Sequence, residues 1–303
     1  MTLKIMRTFV CLCVVTIGCV LIAASPADTA RANVKAEPES KPMTTVVYRE
    51  TPQGPLALEI FEPVGDEAGV ARPAVVLFHG GGWMKGRPQQ FHAYARFLAA
   101  RGMVVICPEY RVSERHGTTP FESVDDAFAA FRYVRANAVD MGIDPERLAA
   151  GGGSAGGHLA AALATIDPAT FSPETDAAID PVPDALVLLN PVYDNSPDGY
   201  GHDRIGDRYE AFSPLHSINA DMPPTIVLLG DEDKLIPVAT AERFRDEQRV
   251  VGVRSELVIY PGADHGFFNR GRQPDGERYF RLVCGEIEAF FVSLDWIASA
   301  DSE

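Results

Sequence analysis

The pentapeptide Gly152-Gly153-Ser154-Ala155-Gly156 sets a serine at the centre of a G-x-S-x-G pattern. A serine held on a sharp turn between a strand and a helix can attack a carbonyl carbon. About 75 residues upstream of it stands His79-Gly80-Gly81-Gly82-Trp83. Consecutive glycines let backbone N–H groups approach a developing negative charge closely. Nucleophile and oxyanion loop together imply acyl transfer. The oxyanion hole is expected at the N–H groups of Gly81, Gly82 and Ala155, with His79 anchoring the loop and Trp83 lining the pocket.

A serine hydroxyl needs a base to accept its proton and a carboxylate to hold that base in the right tautomer. After a turn of this kind the acid precedes the histidine in the chain. The segment Leu229-Gly230-Asp231-Glu232-Asp233-Lys234-Leu235-Ile236-Pro237 supplies three carboxylates just past an apolar run. The G-x-x-D-x-x-x-P spacing puts Asp233 deepest in the loop, leaving Asp231 and Glu232 to face solvent or cap the next helix. The base is then His265, in the glycine-bracketed loop Gly262-Ala263-Asp264-His265-Gly266, 32 residues beyond Asp233. His202 and His216 precede the acid and fall in irregular sequence, which makes them surface or substrate-loop residues. His158 lies one turn into the helix after Ser154 and is assigned to packing.

Gly151, Gly153 and Gly156 also satisfy G-x-G-x-x-G, but the following helix leads into Asp167-Pro168-Ala169 rather than a strand ending in an acidic residue. A dinucleotide site needs that second strand. The G-K-[ST] of a phosphate loop and the H-E-x-x-H and C-x-x-C metal patterns are missing as well, so neither a cofactor nor a metal is expected.

These loops must be carried by a sheet. Ala74 to Phe78, Met103 to Cys107, Leu148 to Ala150, Ala185 to Leu189, Thr225 to Leu229 and Leu257 to Tyr260 are apolar runs suited to parallel strands buried on both faces. Thr45 to Tyr48 and Leu56 to Phe61 read as a strand pair joined by the turn Thr51-Pro52-Gln53-Gly54. Helices are expected over Phe91 to Arg101, Phe121 to Asn137, Ala155 to Ile166, Val238 to Val250 and Arg278 to Ile297. In the second of these, Val124, Phe128, Phe131 and Val134 form one apolar stripe. Strands alternating with helices make an α/β fold with a mostly parallel, doubly wound sheet. Pro191 to Pro224 interrupts the alternation and is expected to be a small cap or specificity insert within a single domain.

The N-terminus is different material. Lys4 and Arg7 precede an uncharged apolar stretch from Thr8 to Ala24 and then Ser25-Pro26-Ala27, the layout of a secretory signal. Residues 1–27 are therefore read as a signal peptide, with an uncleaved membrane anchor and a lipoprotein signal at Cys19 as alternatives. Residues 28–41 are read as a linker and 42–300 as the folded domain. A secreted or periplasmic protein follows, touching a membrane only through an uncleaved leader. Three of the five cysteines fall in the leader, leaving Cys107 and Cys284. Those two are expected as buried small hydrophobes, with a single bridge as the alternative. The formal net charge of -15 argues against a nucleic-acid partner, which would need a basic footprint.

His79-Gly80-Gly81-Gly82-Trp83, Glu109-Tyr110-Arg111, Gly152-Gly153-Ser154-Ala155-Gly156-Gly157, the Asp233 loop and Asp264-His265-Gly266-Phe267 recur in this order in α/β-hydrolase esterases. The chain resembles the hormone-sensitive-lipase-like group and, more closely, its bacterial relatives among the feruloyl and acetylxylan esterases, over about residues 45 to 298. The lipase-like group usually has Asp-Tyr-Arg with a Leu-Ala-Pro continuation and a helical cap before its core. Here Glu109 replaces the aspartate, Val112-Ser113-Glu114 follows, and only the linker precedes the core. The resemblance thus implies a serine esterase acting on short-chain or feruloyl esters of carbohydrates. The alternatives are a general carboxylesterase or lipase, and a non-catalytic binding protein on the same fold.

Overall fold

The computed structural model describes residues 43–63, 70–172, 178–272 and 275–299. The leader and linker, with Cys11, Cys13 and Cys19, lie outside the described residues. Eight strands form one sheet: β1 (Thr44–Thr51), β2 (Gly54–Phe61), β3 (Arg72–Phe78), β4 (Val104–Pro108), β5 (Ile143–Gly153), β6 (Ala185–Leu189), β7 (Thr225–Gly230) and β8 (Ser255–Tyr260). Their order is β1-β2-β4-β3-β5-β6-β7-β8. The first two strands pair antiparallel, β2 joins β4 antiparallel, and the rest of the sheet is parallel.

Alternation along the strands divides the core. In β3, Ala74, Val76 and Phe78 face one side of the sheet and Val75 and Leu77 the other, as the two-residue period of a strand requires. Five long helices cover the faces: α1 (His92–Ala99), α2 (Pro120–Ala136), α3 (Ala155–Thr165), α4 (Val238–Val250) and α5 (Gly276–Ser293). Helices α2, α3 and α4 pack on the first face, α1 and α5 on the second. Val124, Phe128, Phe131 and Val134 of α2 are fully buried, so the apolar stripe is the packed side. Pro120 at its start and the reciprocal Thr119–Glu122 capping box satisfy the first free N–H groups of that helix.

The strand order places the chemistry. The chain passes from β3 outward to β4, then crosses back to β5 on the other side of β3. The loops leaving β3 and β5 therefore diverge above neighbouring strands, which opens a crevice at the carboxyl edge of a parallel sheet. The loop from β3 carries His79 to Gly82, and the one from β5 carries Ser154. Between β6 and β7 the alternation does break, into short helical turns at His202–Ile205 and Tyr209–Phe212. Cys107 and Cys284 are both free and buried. Each belongs to the second core face, and burial pushes the Cys107 thiol well above its ordinary value. They pack as small apolar groups, without a bridge.

Candidate active site

Ser154 caps α3 with φ 56° and ψ −119°, a backbone conformation that costs a β-carbon-bearing residue about 1–3 kcal/mol. The surroundings hold it there. The Ser154 N–H donates to the Leu189 carbonyl, and the Ser154 carbonyl accepts from His158 and Val192 N–H groups. The turn is also crowded: a β-carbon on Gly156 would lie 2.0 Å from the Phe78 carbonyl oxygen and 2.4 Å from that of His79. Glycine at 156 is what lets α3 start against the end of β3.

Three loops meet above this turn. His265 Nε2 lies 2.8 Å from Ser154 Oγ and His265 Nδ1 2.7 Å from Asp233 Oδ2. With the proton on Nδ1 donated to the carboxylate, Nε2 is left to accept from the serine hydroxyl. The Asp233 carboxylate is fully buried, and its other oxygen accepts from the N–H groups of Leu235 and Ile236. Asp231 and Glu232 are exposed, Asp231 accepting from the Gly262 N–H. Of the three neighbouring acids, only Asp233 points at the histidine.

In the glycine loop, the Gly80 N–H donates to Gln90 Oε1 at 2.6 Å. The N–H groups of Gly81, Gly82 and Ala155 meet no acceptor among the described residues. Gly81 has φ +126°, and a β-carbon on it would sit 2.1 Å from the Lys85 carbonyl oxygen. Gly81 and Gly82 share a cavity of about 500 Å³ with Ser154 and His265, while Ala155 is buried immediately beside the serine. His79 lies beneath the loop. Its ring stacks on Tyr110 at 4.1 Å, its Nδ1–H donates to the Gly80 carbonyl, and the Tyr110 hydroxyl donates to the His79 carbonyl. Burial drives the His79 pKa down to about 3, so the ring is neutral.

Trp83 departs from expectation. It is 1% exposed and does not line the cavity, where Met84 takes the place foreseen for it. A left-handed backbone at Trp83, φ 59°, turns the indole inward against His158, Tyr200 and Phe212. His158 packs as expected, stacked on Phe212 at 4.4 Å with Nε2 bonded to the Phe212 carbonyl. Desolvation lowers its pKa to about 4. His202 and His216 flank Tyr209 on the insert, away from the cavity.

A BD-FAE family model matches residues 58–182 and a dienelactone hydrolase family model residues 200–286. The apo form of Thermogutta terrifontis esterase 2 superposes with a TM-score of 0.80 at 36% identity, covering 88% of this chain and 100% of that one. The chain belongs to the α/β-hydrolase esterases. The same esterase has been solved with propionate bound. Among curated relatives, Esterase LipC of Mycobacterium tuberculosis is 31% identical over 64% of this chain and 53% of its own length. The acetylxylan esterase of Xylanibacter ruminicola is 27% identical over 64% of this chain and 41% of its own. The chain spans about half the length of LipC and of the probable carboxylic ester hydrolase LipM.

This esterase fold also assembles residues that motif reading passes over. Asn190, fully buried at the end of β6, holds Nδ2 3.2 Å from both ring nitrogens of His265. Equal distances to both nitrogens put the amide over the ring's face, where an N–H can rest on the π cloud. Arg204 of the insert donates to the Gly82 carbonyl at 2.7 Å and lies over the Tyr200 ring. Gln90 joins the glycine loop to Asn269, Nε2 to Oδ1, at 2.7 Å. The position of Asn190 at a strand's carboxyl end was the one available signal; Arg204 and Gln90 had none.

Proposed function

We propose that this protein hydrolyses carboxylic esters through an acyl-enzyme on Ser154. The observation that carries the reading is the unbroken chain from Asp233 through His265 to Ser154, at 2.7 and 2.8 Å, opening beside the N–H groups of Gly81 and Gly82, which are unpaired among the described residues. Ser154 Oγ attacks the ester carbonyl as His265 Nε2 takes its proton, and Asp233 stabilises the imidazolium. The carbonyl oxygen gains negative charge and is received by the Gly81, Gly82 and Ala155 N–H groups; one such donor is typically worth about 2.7–4 kcal/mol. The carbon–oxygen bond to the alcohol then breaks as His265 returns the proton to the leaving oxygen. Water, deprotonated by the same histidine, attacks the acyl carbon and frees the acid and Ser154.

For substrate we propose short-chain or feruloyl esters of carbohydrates. A cavity of about 500 Å³, the BD-FAE match and the acetylxylan esterase relative support this. The apolar leader supports a secreted or periplasmic site of action, where such polymers are met. A fluorophosphonate probe tests the chemistry: the folded protein should gain one adduct on Ser154, lost in Ser154→Ala, and a folded protein without that adduct is not a serine esterase. Acetylated xylan, methyl ferulate and 4-nitrophenyl esters of rising chain length test the substrate. Turnover of long-chain nitrophenyl esters alone would replace the carbohydrate reading with a lipase-like one.

A further inference from the structure

The cavity over Ser154 is lined by Lys85, Arg87 and Arg272 and, among the described residues, by no carboxylate. That is unexpected in a chain with 42 acidic against 27 basic residues. Elsewhere arginines find acids: Arg49 and Arg111 converge on Asp126, Arg101 pairs with Glu288, Arg135 with Asp184, and Arg270 with Glu277. Lys85, Arg87 and Arg272 have no acidic partner among the described residues.

The backbone is shaped to hold these cations together. Gly266, next to His265, has the Arg272 guanidinium so close that a β-carbon there would fall 2.2 Å from Nη1. Glycine at 266 thus leaves the room the guanidinium occupies beside the histidine. Lys85 and Arg87 flank Gly86, whose φ of +109° turns the loop back so that both reach the same cavity. Gln90 and Asn269 tie that loop to the Arg272 side, Asn269 Nδ2 in turn donating to the Gly266 carbonyl.

A concave site lined by one sign of charge focuses its field and raises the local concentration of the opposite ion. The surrounding molecule, at net charge -15, repels anions, so a cationic lining at this one place favours most a ligand that is itself negative. We propose that the ester accepted at this site carries a carboxylate a few atoms from the scissile carbonyl, bound by Arg87 and Arg272 with Lys85 at the rim. Each guanidinium offers paired N–H donors that match a carboxylate. The proposal rests on the esterase reading and narrows its substrate class to anionic esters, with the carboxylate on the acyl or the alcohol side.

Matched pairs test it on the full protein. For the acyl side the pair is mono-4-nitrophenyl glutarate against its methyl ester, and for the alcohol side 4-acetoxybenzoate against its methyl ester, following release of the phenol. In at least one pair kcat/KM should favour the anion by about tenfold at low ionic strength, with the preference shrinking as salt screens it. The double variant Arg87→Gln, Arg272→Gln should lower the anion-to-neutral ratio at least fivefold. The pair that shows the preference tells which side of the ester bears the charge. Turnover of the neutral esters with a ratio at or below one in both pairs, or a ratio unchanged in the double variant, overturns this proposal alone. A folded protein that hydrolyses neither member of either pair, and takes no fluorophosphonate, overturns the esterase reading with it.

Discussion

The turn around Ser154 and the insert that roofs it are held by opposite means. At the turn the constraints are between backbones: Gly156 against the Phe78 and His79 carbonyls, Gly81 against the Lys85 carbonyl, and Ser154 itself in a left-handed conformation. Those contacts leave no side chain a choice. Beyond the Val192 N–H bonded to the Ser154 carbonyl where it begins, the insert meets the site through side chains, with Phe212 stacked on His158, Tyr200 beside Trp83, and Arg204 reaching the Gly82 carbonyl. Backbone crowding leaves little room for adjustment, because relieving it shifts the sheet. Side-chain contacts tolerate more adjustment. The nucleophile therefore sits on the stiff half of the site, and the half that shapes access is the softer one.

Substitution at the stiff half should have the largest effect. Gly156→Ala would bring a β-carbon to 2.0 Å from the Phe78 oxygen, and overpacking against backbone should cost more than about 3 kcal/mol. The expected result is a midpoint of thermal unfolding lowered by many degrees together with loss of esterase activity. An active Gly156→Ala protein of wild-type stability would erase the distinction between the two regions.

Acid probes the junction. His158 and His79 are neutral in the fold, at about 4 and about 3 against an ordinary 6.5. Above pH 6.5 they contribute nothing to pH dependence. Below it the unfolded chain binds protons that the folded protein refuses, so stability falls as pH drops, by about 1.4 kcal/mol per pH unit for each histidine. For His158 the loss runs from pH 6.5 to about 4. Urea unfolding of His158→Gln across that window should show a shallower slope than the wild type by one histidine's worth. Equal slopes would mean that burial does not keep this ring neutral.

Arg204→Gln should have the smallest effect. Losing a charged hydrogen bond to the Gly82 carbonyl should cost about 1–2 kcal/mol in transition-state stabilisation, roughly five- to thirtyfold in kcat, with little change in melting temperature. Reading kcat and unfolding separately sharpens the comparison, since a soft contact should move catalysis more than stability. A drop in stability as large as that of Gly156→Ala would make the insert as rigid as the turn.

These differences follow what could be read in the chain. The β3, β6 and β7 runs, the α2 stripe and the strand-turn-helix around Ser154 are local patterns whose periodicity reports burial directly. Asp233, His265 and Ser154 could be ordered along the chain because each sits at the end of such a run. Trp83 was misplaced because a single left-handed residue, φ 59°, reverses which side chain faces the cavity, and no neighbouring residue type announces it. Asn190, Gln90 and Arg204 went unread because their partners lie 75, 179 and 122 residues away.

By itself, then, the sequence determined the alternation of strands and helices, the glycines that permit close backbone approach, and the order of nucleophile, acid and base. Those are properties of short segments, set by local sterics and by which side chains avoid water. Only the tertiary structure decided which N–H groups stay unpaired beside Ser154, which aromatic ring turns away from the cavity, and which cations gather in it. Each of those depends on the strand order that brings distant loops to one edge of the sheet, and no local pattern carries that information.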